Sequence, residues 1–184
     1  MILASASPRR IDILHQAGFD PIVRPQDVDE TPLAGEHPTS LVLRLARAKA
    51  HACADTCEPG QTVVAADTIV WDEDGDVLGK PASDAEAREM LRTLSGRAHH
   101  VSTGVCLVRD GRERAFVETT DVHFFELTNE EIDAYVATGD PLDKAGAYGY
   151  QSLGCTLVER IEGDYYNVVG LPIGRLVREL AKLG

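Results

Sequence analysis

Ten polar residues spread through this 184-residue chain are of the kinds that handle phosphate: Ser5, Ser7, Arg9, Arg10, Glu30, Lys49, Asp67, Lys80, Lys144 and Gln151. As a set they suit a polyphosphate. Arginine and lysine neutralise phosphate oxygens, and Glu30 with Asp67 offers oxygen ligands to a hard divalent cation, Mg2+ or else Mn2+. One carboxylate can then orient or deprotonate an attacking water. The densest part of the set is Leu3-Ala4-Ser5-Ala6-Ser7-Pro8-Arg9-Arg10, a short strand leading into a helix N-terminus with two cations in its first turn. Unpaired N–H groups, the positive end of the helix dipole, serine hydroxyls and two guanidiniums would converge there on one anion. The plainer alternative is a capped helix with solvated arginines. Asp67 interrupts the apolar run Val63 to Trp71. A carboxylate in a buried strand is costly unless paired, so it is either tied to a structural donor or serves as ligand or base at the strand end. Neither G-x-x-x-x-G-K-[ST] nor G-x-S-x-G is present, which excludes a P-loop and a serine-elbow hydrolase.

The elements that must position these residues alternate between strand and helix, the pattern of an α/β fold. Ser5 or Ser7 caps a first helix with Pro8 at its start and a stripe of Ile11, Leu14 and Ala17, ending at Gly18. Pro21 to Pro25 reads as a strand, followed by an acidic loop in which Asp27, Asp29 and Glu30 are neighbours and only one needs to face a site. A long helix from near Thr39 or Ser40 sets Leu41, Leu45, Ala48 and Ala52 on one face, with Lys49 at the edge of that stripe. Thr62 to Trp71 is a strand buried on both faces. Asp72 to Asp76 forms a hairpin turn, since Gly75 comes one residue early for a calcium loop and Ser83 stands where its glutamate would be. Two capping boxes, Ser83 with Glu86 and Thr128 with Glu131, open helices closed by Gly96 and Gly139. Asp110-Gly111 joins the strands His99–Val108 and Ala115–Phe125. Asp143 to Gln151 is an aperiodic loop rich in small residues that let backbone approach closely. Cys155–Ile161 and Tyr165–Val169 read as the last strands, and Ile173, Leu176, Val177, Leu180 and Leu183 mark a C-terminal helix.

The totals narrow the class. The length suits one domain, or two small lobes sharing a cleft. A net charge of −12 disfavours a nucleic-acid duplex as partner, while a nucleotide needs only a local cluster of cations. Lysine occurs only at 49, 80, 144 and 182, so three of the four lie in candidate motifs. The acidic excess also fits a high-salt cytoplasm. No apolar run has the length of a membrane span or a signal sequence, which leads to the expectation of a cytoplasmic protein. Cys53, Cys57, Cys106 and Cys155 lack zinc-site spacing and read as reduced packing residues; a metal cluster of His51, Cys53 and Cys57 is the weaker drawing.

Taken in order, Leu3 to Arg10, Ala66-Asp67-Thr68-Ile69-Val70, Gly79-Lys80-Pro81, Lys144-Ala145-Gly146-Ala147-Tyr148 and Gly163 to Pro172 resemble the Maf family of nucleoside triphosphate pyrophosphatases over essentially the whole chain. The resemblance implies a single domain, 1–184, with a mixed β-sheet and an inosine triphosphatase-like fold of two lobes around a central cleft. It implies hydrolysis of a nucleoside triphosphate to monophosphate and pyrophosphate, and a homodimer. By position, Asp67 matches the proton acceptor and Glu30 a carboxylate that helps to hold the metal. Ser7, Arg9, Arg10, Lys49, Lys80 and Lys144 match phosphate-facing residues. Arg9, Thr68 and Gln151 stand where members acting on dTTP and UTP differ from those acting on 7-methyl-GTP, and the Gln151 amide offers a donor and an acceptor to a pyrimidine edge. Tyr150 and Ser152-Leu153-Gly154 depart from the family pattern around that glutamine. Asp67 is expected to stay ionised beside a cation. A pyrophosphatase for modified purine nucleotides and a nucleotide-binding regulator of septum formation are the competing readings.

Overall fold

The computed structural model describes residues 1–183. Its strands form a seven-stranded mixed sheet with hydrogen-bonded order β2-β1-β3-β5-β6-β7 and β4 attached to β3. These strands are β1 (Ile2–Leu3), β2 (Ile22–Val23), β3 (Val63–Trp71), β4 (Val77–Leu78), β5 (Ala98–Arg109), β6 (Arg112–Phe124) and β7 (Val158–Glu162). The chain divides into two compact units, the first made of Met1–Thr68, Ser102–Glu118 and the segment from Tyr166 onward, the second of Ile69–Val101 and Thr119–Tyr165. Strands β3, β5 and β6 contribute residues to both.

In the first unit, β1 pairs in parallel with both β2 and β3. Side chains alternate across a strand, and β3 shows the consequence. Val64 and Ala66 join a core with Leu3, Val105, Leu107 and the apolar faces of α1 (Pro8–Gln16) and α6 (Ile173–Leu183). Val63 and Ala65 join a second core with Cys106, Val108 and Ala46, Ala50 and Cys53 of α2 (Pro38–Ala54). The same parity sends Asp67 towards α2 and Thr68 towards α1. Helix α2 lies very close to the sheet at Gly104: a Cβ there would sit 2.4 Å from the Val42 carbonyl oxygen. Glycine is required for that approach.

Several expected details differ. Ser7 is the N-cap of α1, but its side chain makes no capping bond. Ile13 and Leu14 carry that helix's burial, while Ala17 is exposed. Helix α2 begins earlier than expected because the His37 ring accepts from the Thr39 N–H and Pro38 occupies its first turn. Its buried face is Leu41, Val42, Leu45, Ala46, Ala50 and Cys53; Ala48 and Ala52 lie at the margin. Tyr165–Val169 is a short helix, α5, where a strand was expected. Short apolar runs do not distinguish the two by period, and here the Gly170 and Leu171 N–H groups close back on the Tyr166 carbonyl. Val177 of α6 faces outward.

In the second unit, β4 pairs antiparallel with the end of β3, and β7 with β6. Asp72 Oδ1 accepts from the Asp74 and Asp76 N–H groups, which fixes the hairpin turn. Helix α3 (Asp84–Leu94) has only half of its box: Ser83 Oγ accepts from Glu86 N–H, but the Glu86 carboxylate turns to Ala82 N–H. The Thr128–Glu131 box of α4 (Asn129–Val136) is complete. Residues 153–157 form a 3-10 turn, so the last strand starts at Val158. His99 is fully buried, its Nε2 2.8 Å from the Tyr148 hydroxyl, and burial depresses its pKa to about 3. Among the described residues, no helix is long and apolar enough to cross a membrane.

Candidate active site

Asp67 and Lys49 meet on the α2 face of the first unit. Lys49 Nζ donates to Asp67 Oδ1 at 2.6 Å, and both side chains are almost enclosed, 12% and 13% exposed. The same ammonium lies 2.5 Å from Glu30 Oε1, on the acidic loop. Of the three neighbouring carboxylates on that loop, Glu30 is therefore the one that reaches the site. Asp29 instead accepts from the Thr31 N–H. Burial raises the Asp67 pKa, and the positive charges of Lys49 and Arg10 only partly counter it. The neighbouring cations thus do less than the sequence suggested, because desolvation at this depth outweighs them. Asp67 is a stronger base than a solvated aspartate.

On the opposite face of β3 the chemistry centres on Arg10. Its Nε donates to the Gly170 carbonyl at 2.9 Å, Nη1 to Ser5 Oγ at 3.0 Å and Nη2 to Thr68 Oγ1 at 3.0 Å. Three of the five guanidinium N–H groups are thereby engaged, leaving one on each terminal nitrogen for an incoming anion. Burial lowers the Arg10 pKa and Asp67 counters the effect; an arginine stays charged throughout. Ser5 also accepts from Ser7 N–H, so Ser5 is a structural acceptor. Ser7 keeps its hydroxyl out of the helix cap, and Arg9 is exposed on the first turn.

The remaining predicted residues belong to the second unit. Gly146 N–H donates to the Gly79 carbonyl at 3.1 Å, which stitches the Lys80 loop to the Lys144 loop across 64 residues of sequence. Gly146 has φ +68°, and a Cβ would stand 2.9 Å from Val70, so the turn needs glycine. Lys80 is exposed. Lys144 Nζ is held by the Asp140 carbonyl at 2.7 Å, Asp140 Oδ1 at 3.1 Å and Asp143 Oδ1 at 2.7 Å. Asp140 in turn accepts from the Tyr135 and Ser152 hydroxyls, both at 2.7 Å. Gln151 is exposed beside this knot.

Sequence reasoning missed Thr103 and Asp140. Thr103 had a signal: Ser102-Thr103 interrupts the apolar run of β5 as Asp67-Thr68 interrupts β3, and polar breaks in two buried strands ask for each other. Asp140 gave none, being an ordinary residue after a helix-ending glycine. The His51, Cys53 and Cys57 drawing is replaced by His51, Cys106 and Glu113, whose donor atoms lie within 4.8 Å of one another. Glu113 is already held by Arg47 and His51, and burial pushes the Cys106 thiol up to about 12, so this is an ion-pair cluster over a packing thiol. Cys53 is buried as expected, whereas Cys155 is exposed.

A family model described as Maf-like protein matches residues 1–183. A dTTP/UTP pyrophosphatase of Bacillus cereus (strain AH820) is 51% identical over 180 residues, covering 98% of this chain and 93% of that protein. Another dTTP/UTP pyrophosphatase, from Bacillus cytotoxicus, is 52% identical over 179 residues, 97% of this chain and 93% of that protein. Among solved structures, a HAM1 protein from Coxiella burnetii superposes with a TM-score of 0.53 at 15% identity over 98% of both chains. That likeness concerns the fold, and it agrees with the inosine triphosphatase-like α/β sheet expected from the motifs.

Proposed function

The chain belongs to the Maf-like protein family, and from that membership we propose that it hydrolyses nucleoside triphosphates, dTTP and UTP foremost, to the monophosphate and pyrophosphate. The observation that carries the reading is Asp67: a buried carboxylate with a raised pKa, gripped by Lys49 and within the electrostatic reach of the Arg10 guanidinium. Such a group accepts a proton from a water attacking phosphorus, and Lys49 fixes the carboxylate in place while it does so. Arg10 offers its two remaining N–H groups to phosphate oxygens, and the uncapped first turn of α1 offers backbone N–H groups. By the family resemblance, Lys80 and Lys144 of the second unit match phosphate-facing cations.

Glu30 and Asp67 fit a hard divalent ion, because both are oxygen donors reaching a single point, the Lys49 ammonium nitrogen. Mg2+ or Mn2+ held by these two carboxylates would neutralise phosphate charge and polarise a phosphoryl oxygen. The family resemblance also supports a homodimer. Gln151, exposed and amide-bearing, is our candidate for reading a pyrimidine edge.

The test is pyrophosphate release from a panel of canonical and modified triphosphates with Mg2+, comparing the native chain with Asp67→Asn. We expect turnover of dTTP and UTP above the rest, reduced about 10³-fold by the substitution while nucleotide still binds. Preference for 7-methyl-GTP would move the reading to modified purines. No turnover on any triphosphate, with tight binding in both proteins, would favour the regulatory role.

A further inference from the structure

Thr68 Oγ1 lies 2.9 Å from Thr103 Oγ1, and Thr103 Oγ1 donates to the Asn167 carbonyl at 3.1 Å. A hydroxyl has one proton. With the Thr103 proton on Asn167, the proton between the two threonines belongs to Thr68, and Thr68 is left as a pure acceptor for Arg10 Nη2 at 3.0 Å. The alternative, a Thr68 proton on the Gly170 carbonyl, spans 3.5 Å to an oxygen that already accepts from Arg10 Nε. The shorter bonds therefore define one directed chain, Arg10 to Thr68 to Thr103 to the Asn167 carbonyl, within the first unit. Thr103 is fully buried and projects from β5 on the same side as Val105 and Leu107. We infer that Thr103 is a positioning residue that sets the Arg10 guanidinium through Thr68.

The inference rests on the reading of Arg10 as a phosphate ligand. It also changes what residue 68 does. The family resemblance puts Thr68 among the positions that separate substrates, yet its hydroxyl is engaged on both sides by Arg10 and Thr103. Its effect on turnover then passes through the phosphate-holding guanidinium and is the same for every base. An undirected Thr68 hydroxyl could point its own proton at Arg10, and the guanidinium would lose its acceptor on that side.

Four variants test the chain: Thr103→Val, Thr103→Ser, Thr68→Val and the Thr68→Val/Thr103→Val double. With dTTP, UTP and one purine triphosphate, Thr103→Val should lower kcat about tenfold and leave KM within about twofold, because charge on phosphate grows towards the transition state. The loss should be equal for all bases. Thr103→Ser should restore it, and the double variant should lose no more than Thr68→Val alone, as members of one chain do not add. Losses that differ between bases, full additivity, or no rescue by serine would overturn the assignment. Should the native chain turn over no triphosphate, the Arg10 reading is tested separately by calorimetric binding of inorganic pyrophosphate to the same proteins. Weaker binding in Thr103→Val, restored in Thr103→Ser, supports the chain; equal binding, or none by the native protein, overturns it.

Discussion

Gly104 and Gly174 receive the same methyl group from an alanine substitution, and the structure predicts opposite outcomes. At Gly104 the new Cβ would lie 2.4 Å from the Val42 carbonyl oxygen, 2.5 Å from its carbon and 2.7 Å from Leu43 N, all backbone atoms of α2. Ordinary contact begins at 3.4 Å, so helix and strand must part by about 1.0 Å. Backbone cannot rotate out of the way as a side-chain tip can. The loss of stability should be about 3 kcal/mol, the upper part of the overpacking range, equivalent to a fall in Tm of roughly 6–12 °C for a chain of this size. At Gly174, near the start of α6, the nearest atom is Arg178 Nη1 at 4.0 Å. Alanine there should stabilise by about 0.5–1 kcal/mol through helix propensity. Urea unfolding gives both numbers from the midpoints if the slopes are unchanged. A second readout comes from the site. Lys49 lies two turns beyond Val42, and a 1.0 Å retreat of α2 stretches a 2.6 Å contact with Asp67 past hydrogen-bonding range. Turnover by Gly104→Ala should fall by about 10- to 100-fold. A Gly104→Ala protein within about 0.5 kcal/mol of native and fully active would refute the close-approach argument.

Lys49→Met removes the largest influence that holds the Asp67 pKa down, leaving burial less opposed. The acidic limb of its pH–rate profile should move to higher pH than in the native enzyme, and an unmoved limb would show that Asp67 is not the base that titrates. His99 gives a stability effect. Its pKa is about 3 in the folded chain, so the unfolded chain takes up a proton as pH falls below about 6.5 while the folded one refuses it. This contribution is complete above pH 6.5 and is lost at about 1.4 kcal/mol per pH unit between there and pH 3. Urea midpoints of native and His99→Asn proteins at pH 7 and pH 5 isolate it as a difference of slopes; parallel slopes would refute it.

Much of this was legible in the chain. The apolar run of β3, the Asp110-Gly111 turn and the Thr128–Glu131 box are short-range signals, settled by local backbone chemistry, and each stands where the sequence put it. Helix starts and buried stripes were less legible, because they depend on which side of a helix meets the sheet. Cys53 lies on that side of α2 and Ala52 does not, a distinction of about 100° per residue that mixed small residues do not resolve. The Tyr165–Val169 segment failed for another reason. Its β-branched and aromatic residues favour a strand, and the turn back onto the Tyr166 carbonyl overrides that preference. At the site, residue types announced phosphate chemistry, but hydrogen-bond partners did not follow from types. Residue type and loop position do not distinguish Glu30 from Asp29; only the family resemblance singles out Glu30, and the fold directs it to Lys49 and Asp29 to neighbouring backbone.

The pair Asp67-Thr68 shows how little chain is needed to serve both faces of a sheet. Consecutive residues of a strand point in opposite directions, so one dipeptide gives a base to the α2 side and an arginine anchor to the α1 side. Each is then completed from its own face: Lys49 by α2, Arg10 by α1 and Thr103 by the neighbouring strand. A one-residue slip of β3 would exchange the two faces, placing the carboxylate against the Thr103 hydroxyl and the threonine against the Lys49 ammonium. The buried alternation of Val63, Val64, Ala65 and Ala66 just upstream opposes that slip, since both faces are packed against helices. The apolar residues before the dipeptide thus have a chemical consequence: the register that buries them also decides which residue is base and which is anchor.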